Sequence, residues 1–354
     1  MQQKLEKAMK NVIIYLLLAL LSTFMPMLAQ EEVVPLKPLK SGQNVVSANG
    51  YVKSDTLWSH GKRVINTTRV LPAPQPAQQQ VMSGRLELFP QFQSQYIEAR
   101  NVTVWLPEGY VEGEPCDVLY MHDGQMLFDA TTTWNKQEWQ VDEVMGRLIA
   151  QGKIRRCIVV GIDNSPNRLN DYFPTKCYEY VPQDQRATVD VSLYKGDDYL
   201  RFLVEEVKPF IDALYRPLTT REHTFVMGSS MGGLISLYAL CEYPRVFGGA
   251  VCLSTHLSMR FFDPKFNSEA WATGFRHYVK AKLPEANSCL LYMDCGDAGY
   301  DSQYVPYEYK IVKMIQDLGW DSDHFMDRVY CDHDHNETFW SQRIHTPLMF
   351  ILKP

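Results

Sequence analysis

The 354-residue sequence lacks several features, and each absence removes a class of protein. No block of Lys and Arg accompanies an aromatic cluster. Thirty-five basic residues face 41 acidic ones, a net charge of −6, so the electrostatic footprint of a nucleic-acid binder is missing. There is no C-x-x-C and no H-x-x-x-H, which removes the common zinc spacings. No internal repeat recurs, so a solenoid is excluded. No uninterrupted apolar run reaches the roughly 18 residues that span a bilayer. What remains is 45% hydrophobic and 21% charged, the balance of a globular chain rather than a disordered or coiled-coil one.

The N-terminus reads as an address. Lys4, Lys7 and Lys10 precede an apolar stretch from Val12 to Leu21, and Pro26 and Ala29 follow it. This predicts a cleaved signal peptide over residues 1–29 and a periplasmic or secreted product with no membrane span after cleavage. No Cys follows the apolar stretch, so no lipid anchor is expected. Export would permit disulfides, but the eight cysteines are irregularly spaced, and one or two bridges at most are expected. Cys252 and Cys289 lie inside apolar runs, where a thiol behaves as a small hydrophobe. Residues 30–82 hold Pro35, Pro38, Pro72, Pro74, Pro76 and Gln78 to Gln80, and read as an N-terminal segment ending in an extended linker at 71–80. Residues 83–354 form the main domain.

Within it, apolar runs alternate with helical spacing. Strands are predicted at 101–105, 117–121, 157–161, 224–227, 249–253, 289–293 and 328–330. Helices are predicted at 138–149, 199–214, 232–241, 307–318 and 337–351. That alternation implies an α/β fold: a mostly parallel central sheet with helices on both faces. Such sheets place their sites in the loops just after strands.

One such loop holds Gly228-Ser-Ser-Met-Gly232, a G-x-S-x-G between a strand and a helix. The glycines let the chain turn sharply and push the Ser230 hydroxyl into the open. The Met231 amide, at a helix N-terminus, is placed to donate to an oxyanion. A serine nucleophile needs a base, and the base needs an orienting acid. Downstream histidines are His333 and His335. Downstream acids after a strand are Asp294, Asp297 and Asp301, of which position favours the two loop acids. The run Asp332-His-Asp-His335 could also chelate, but the chain supplies no further zinc spacing to complete a site, so no metal or cofactor is expected. Another strand end carries Tyr120-Met-His-Asp-Gly-Gln125, whose Gln125 amide is a second oxyanion donor candidate. Trp134, Trp139, Arg168, Asp171 and Tyr172 follow early strands and are expected to line a cleft suited to a sugar or phenolic acyl group.

Together these pieces resemble the putative-esterase family of α/β-hydrolases, which includes feruloyl and acetyl-xylan esterases of carbohydrate esterase family 1 and enterochelin esterase-like proteins. The resemblance covers about residues 84–353. It rests on Leu119-Tyr-Met-His-Asp-Gly-Gln125, Phe128-Asp129, Val160-Gly-Ile-Asp163, Gly228-Ser-Ser-Met-Gly-Gly-Leu234, Tyr243-Pro244, Phe247-Gly248, and His335-Asn-Glu with Trp340. It implies an α/β-hydrolase fold, Ser230 as nucleophile and His335 as base, since the family's His precedes a short polar pair and a Trp. Asp301 is the implied acid, with Asp297 as its substitute. The oxyanion hole falls to the amides of Gln125 and Met231. The family often has Asn after that Gln, where this chain has Met126. The implied activity is hydrolysis of acyl esters, of a glycan or of a siderophore, without cofactor or metal. A catalytically inactive binding protein on the same fold is the alternative, and candidates for all three triad positions argue against it.

Overall fold

The structure is a computed structural model. It describes residues 74–187, 189–259 and 267–354, with the backbone of five short strands between residues 45 and 71. Residues 1–29, the predicted signal peptide, lie outside the described residues, as does about half of the 30–82 segment. The short strands pair antiparallel, Gly50–Lys53 between Val45–Ser47 and Arg69–Leu71, and Thr56–Ser59 with Lys62–Ile65.

The main sheet has nine strands: β1 Gln75–Pro76, β2 Arg85–Phe92, β3 Arg100–Leu106, β4 Asp117–His122, β5 Cys157–Ile162, β6 Thr224–Ser229, β7 Gly249–Leu253, β8 Leu290–Gly296 and β9 Phe325–Tyr330. Their spatial order is β9-β8-β7-β6-β4-β5-β3-β2-β1. β5, β4, β6, β7, β8 and β9 pair in parallel, while β3, β2 and β1 extend the β5 edge antiparallel. This is the mostly parallel, helix-flanked sheet of the α/β-hydrolase fold.

Side chains alternate across a strand, and here the alternation feeds two separate cores. Val118, Tyr120, Val226, Ala250 and Met293 belong to one, Leu119, Met121, Phe225, Val251 and Tyr292 to the other. Both faces are covered, so the central strands read as continuous apolar runs. Against the second core pack α1 (Val141–Ala150), by Val141, Val144, Met145 and Leu148, and the C-terminal helices. Against the first pack α2 (Gly196–Arg201), the π-helical turn Phe202–Val207 and α3 (Lys208–Tyr215), which run on as one helix over the predicted 199–214. α4 (Met231–Glu242), α5 (Ser268–Lys282) and α6 (Val305–Asp317) join them. The predicted final helix is two, α7 (Glu337–Arg343) and α8 (His345–Ile351), meeting at Ile344.

Two of the longer elements escaped the sequence reading. β2 contains Pro90, which removes a ladder donor, and a register shift between Phe89 and Phe92 takes up the disruption. α5 is capped by the Asn267 side chain on the Ala270 amide and buries Trp271, Phe275, Tyr278 and Val279. All eight cysteines are unbridged, and seven are buried. Burial pushes the Cys116 thiol up to about 12, as befits a packed hydrophobe rather than a reactive group. No described helix is long and apolar enough to cross a membrane. Residues 80–83 are tied down by two carboxylates: Asp129 accepts the Gln80 amide at 2.9 Å, and Asp142 accepts those of Met82 and Ser83 at 2.7 and 3.3 Å.

Candidate active site

The parallel strands deliver the predicted residues to one end of the sheet. Ser230 is the single residue between β6 and α4, held at φ 58 and ψ −122, a conformation that non-glycine residues adopt only under constraint. Its amide donates to the Leu253 carbonyl at 3.0 Å, and its carbonyl accepts the amides of His256 and Leu234, both at 3.1 Å. The turn closes only because its flanks are glycine: a Cβ on Gly228 would lie 2.7 Å from the carbonyl carbon of Gly232.

Asp301 opens the turn after β8, and His335 precedes α7. The two meet at 2.6 Å, His335 Nδ1 to Asp301 Oδ1. Asp301 is fully buried, and its other oxygen accepts the Ser254 hydroxyl and, at 2.8 Å, the Gly296 amide. Burial works to raise this carboxyl. The hydrogen bond and charge of His335, with Ser254 and Gly296, more than offset that and hold it below the usual carboxylate range. A carboxylate on Nδ1–H fixes the tautomer that leaves Nε2 as the base. Three aromatic rings fix the imidazole plane, those of Tyr300, Tyr304 and Trp340, with centroids 5.3, 5.4 and 5.1 Å away.

The other candidates go elsewhere. Asp297 is exposed and accepts the Asp332 amide at 2.7 Å, while His333 packs on Tyr330 and Phe339. Asp294 takes Arg343 Nη2 at 2.9 Å, and burial pushes it up to about 6 despite that guanidinium. Asp334 accepts the amides of Tyr300 and His335. The Asp332-to-His335 run therefore does not converge on one point. Among the described residues, Glu138 with Asp142 and Glu143, and exposed Asp297 with Cys331 and Asp332, lie close enough to share a cation. Neither group includes the Ser230, Asp301 or His335 positions.

The loop after β4 is the helical turn Gly124–Met126. A Cβ on Gly124 would lie 2.6 Å from the backbone of Gly161 and Ile162, so only glycine lets this loop sit on β5. The Gln125 side-chain oxygen accepts the Asn164 amide at 3.1 Å, which anchors the residue whose backbone amide is the expected oxyanion donor. Met231 is the first residue of α4.

Of the expected cleft residues, Trp134 is 83% exposed. Arg168 is partly exposed and forked onto Asp123, Nε to Oδ1 at 2.6 Å and Nη2 to Oδ2 at 2.8 Å. Asp171 and Tyr172 are buried instead. Asp171 pairs with Arg100 at 3.0 Å and accepts the Ser165 hydroxyl at 2.6 Å. Tyr172 packs between His122, Tyr199 and the Arg168 guanidinium. Trp139 is also buried, against Trp340. His122 is held neutral, pushed down to about 3 by burial, with Nδ1 at 2.7 Å from the Tyr199 hydroxyl.

Two supporting residues were missed in the sequence. Ser254 bridges Asp301, Trp340 Nε1 at 2.9 Å and Arg343 Nη2 at 2.7 Å. Arg343 is buried and also reaches to 3.6 Å from Asp301 Oδ2. Ser254 sits just after the apolar strand Gly249–Leu253, so the rule of loops after strands pointed to it. Arg343 carried no such signal.

The strained serine on its strand–helix turn and the histidine held by a buried carboxylate place the molecule among α/β-hydrolases with a serine-hydrolase type of site. The family model described as "Putative esterase" matches residues 94–305, and the chain belongs to that family. A siderophore enterobactin esterase of Emericella nidulans is 29% identical over 151 residues, 40% of this chain and 47% of that protein. The chain spans about half the length of the curated relatives it matches. Among solved structures, a ferulic acid esterase superposes with a TM-score of 0.57 at 21% identity, covering 77% of this chain and 99% of that one. The enterobactin esterase of Shigella flexneri gives 0.54 at 15% identity, covering 79% and 61%. At these identities the structural likeness is one of fold.

Proposed function

We propose that this chain is an exported serine carboxylic-ester hydrolase that removes feruloyl or acetyl groups from polysaccharide or oligosaccharide. The observation that carries the esterase reading is the 2.6 Å contact of His335 with buried Asp301, at the same sheet end as the strained Ser230. His335 Nε2 takes the proton of Ser230 as Oγ attacks the ester carbonyl. The amides of Gln125 and Met231 receive the oxyanion. His335 returns the proton to the departing alcohol, and water then repeats the sequence on the acyl-enzyme. Asp301 keeps Nδ1 protonated and stabilises the imidazolium. Exposed Trp134 and the forked Arg168 are the proposed substrate contacts, an apolar face and a cation suited to a phenolic or sugar ring. The signal-like N-terminus supports export to the periplasm or beyond.

A siderophore ester is the second reading, favoured by the Emericella nidulans relative. The test is hydrolysis of p-nitrophenyl acetate by the purified chain beside Ser230→Ala, followed by methyl ferulate, acetylated xylan and a tris-catecholate lactone. Activity lost in the variant supports the esterase, and preference among the three substrates selects the acyl class. Equal activity in both proteins, or none in either while folded, returns the inactive binding protein.

A further inference from the structure

The turn that carries Gln125 is anchored through the residue that opens it. Asp123 has φ 58 and ψ 47, in the left-handed region, and its carbonyl accepts the Met126 amide at 2.9 Å to close the turn. Its side chain is buried and takes three donors. Oδ1 accepts Asn164 Nδ2 and Arg168 Nε, both at 2.6 Å, and Oδ2 accepts Arg168 Nη2 at 2.8 Å. Asn164 in turn gives its backbone amide to the Gln125 side chain. The same carboxylate leans on the start of α4, where a Cβ on Gly232 would lie 3.3 Å from Asp123 Oδ2. Gly232 follows Met231. One carboxylate therefore borders both segments that carry the expected oxyanion donors.

A negative charge at that place works against the reaction. The helix N-terminus and the two amides offer positive potential to an oxyanion, and a neighbouring anion cancels part of it. Among the described residues, Arg168 is the one cation paired with this carboxylate. Burial works to raise the Asp123 carboxyl. The charge and hydrogen bonds of Arg168, with that of Asn164, more than offset this and keep it ionised. The guanidinium lies over the Tyr172 ring, 5.2 Å from its centroid, and the Arg168 side chain is 26% exposed. Its planar fork matches both carboxylate oxygens, so it fixes Asp123 in place as well as neutralising it.

Resting on the esterase reading above, we infer that Arg168, beyond its proposed substrate contact, is a positioning residue: its fork on Asp123 holds the turn of Gln125 and cancels a carboxylate that would otherwise oppose the oxyanion. The two partners are then unequal. Removing the Asp123 charge leaves a cation near the oxyanion, which does not oppose it, whereas removing Arg168 leaves an anion. A clamp acting through shape alone would lose the same from either side. The effect falls on the transition state, so losing Arg168 lowers kcat and kcat/KM together.

The experiment measures p-nitrophenyl acetate turnover and the rate of fluorophosphonate labelling at pH 8. It compares wild type, Ser230→Ala, Arg168→Met, Arg168→Lys, Asp123→Asn and the double variant Arg168→Met/Asp123→Asn. Arg168→Met is expected to lower kcat about 10- to 100-fold, the effect of an uncancelled charge a few ångströms away in a partly solvated site, with kcat/KM falling by a similar factor. Labelling should slow likewise. Asp123→Asn, which tolerates the left-handed backbone and keeps an acceptor, should lose about threefold or less. Arg168→Lys restores the charge without the fork and should recover a good part of the rate. The double variant should be about tenfold faster than Arg168→Met, because no anion is left behind. If Arg168→Met fails to fold, Arg168→Gln takes its place with the same rescue expected. Equal losses in the two single variants with no gain in the double would overturn the inference and leave the esterase intact. A loss in Arg168→Met confined to KM would do the same. A folded wild type that does not label overturns both.

Discussion

Arg343→Met removes the one guanidinium that faces Asp294 and Asp301 together. Arg343 is buried, with Nη2 at 2.9 Å from Asp294 Oδ1, 2.7 Å from Ser254 Oγ and 3.6 Å from Asp301 Oδ2. Taking one partner from a buried ion pair costs about 3–5 kcal/mol, because the charge left behind has no compensation. At about 2–4 °C per kcal/mol, that lowers the unfolding midpoint by roughly 6–20 °C. The pH dependence follows from Asp294. Its folded pKa is already raised, to about 6, so its contribution to stability is full below the ordinary carboxylate range and fades as pH rises through 6. Without Arg343 it rises further and the carboxyl stays protonated longer. The variant's deficit should therefore be smaller at pH 5 than at pH 8. Arg343→Met with Asp294→Asn leaves no orphaned charge at this position and should recover about 2 kcal/mol or more. The measurement is thermal unfolding by circular dichroism between pH 5 and 8. Equal losses in the single and double variants at every pH would refute the argument and reduce Arg343 to a packing residue.

Asp301→Asn should lower kcat about 10,000-fold by removing the acceptor that sets the His335 tautomer, while Asp297→Asn, at an exposed turn, should stay within about twofold; steady-state ester hydrolysis separates them. Asp142 is pushed up to about 7, first by burial and then by Glu143, so its contribution to stability fades as pH rises toward 7. Asp142→Asn keeps an acceptor for the Met82 and Ser83 amides and loses that dependence. It should gain on the wild type as pH goes from 4 to 8 in denaturant melts, and a pH-independent difference would contradict this.

The legible part of the molecule was the part written in local pattern. Continuous apolar runs marked the central strands because both sheet faces are covered. G-x-S-x-G marked Ser230 because the turn admits little else. The family resemblance selected Asp301 over Asp297 and His335 over His333, and the structure brings that pair together. The strand with Pro90 and the helix from Ser268 were not legible, since a bulge and tertiary burial override local signals. Asp171 and Tyr172 were misplaced for a related reason. A polar residue after a strand is as readily buried against a partner as exposed, and Arg100, the partner of Asp171, lies 71 residues earlier. Arg343 is the same problem in reverse, an unremarkable helix residue whose role exists only once β8 is beside it.

The spread of the proposed catalytic positions along the chain has a kinetic meaning. Ser230 and Asp301 are 71 residues apart, Asp301 and His335 another 34, and the guanidinium that supports the acid is 42 beyond it. No two of these meet through local folding, so each pairing waits on the closure of a long loop. During synthesis the Ser230 turn can form well before Asp301 and His335 exist. Under the proposed mechanism, turnover would report that the chain has folded through residue 343, and a molecule arrested earlier would be inert.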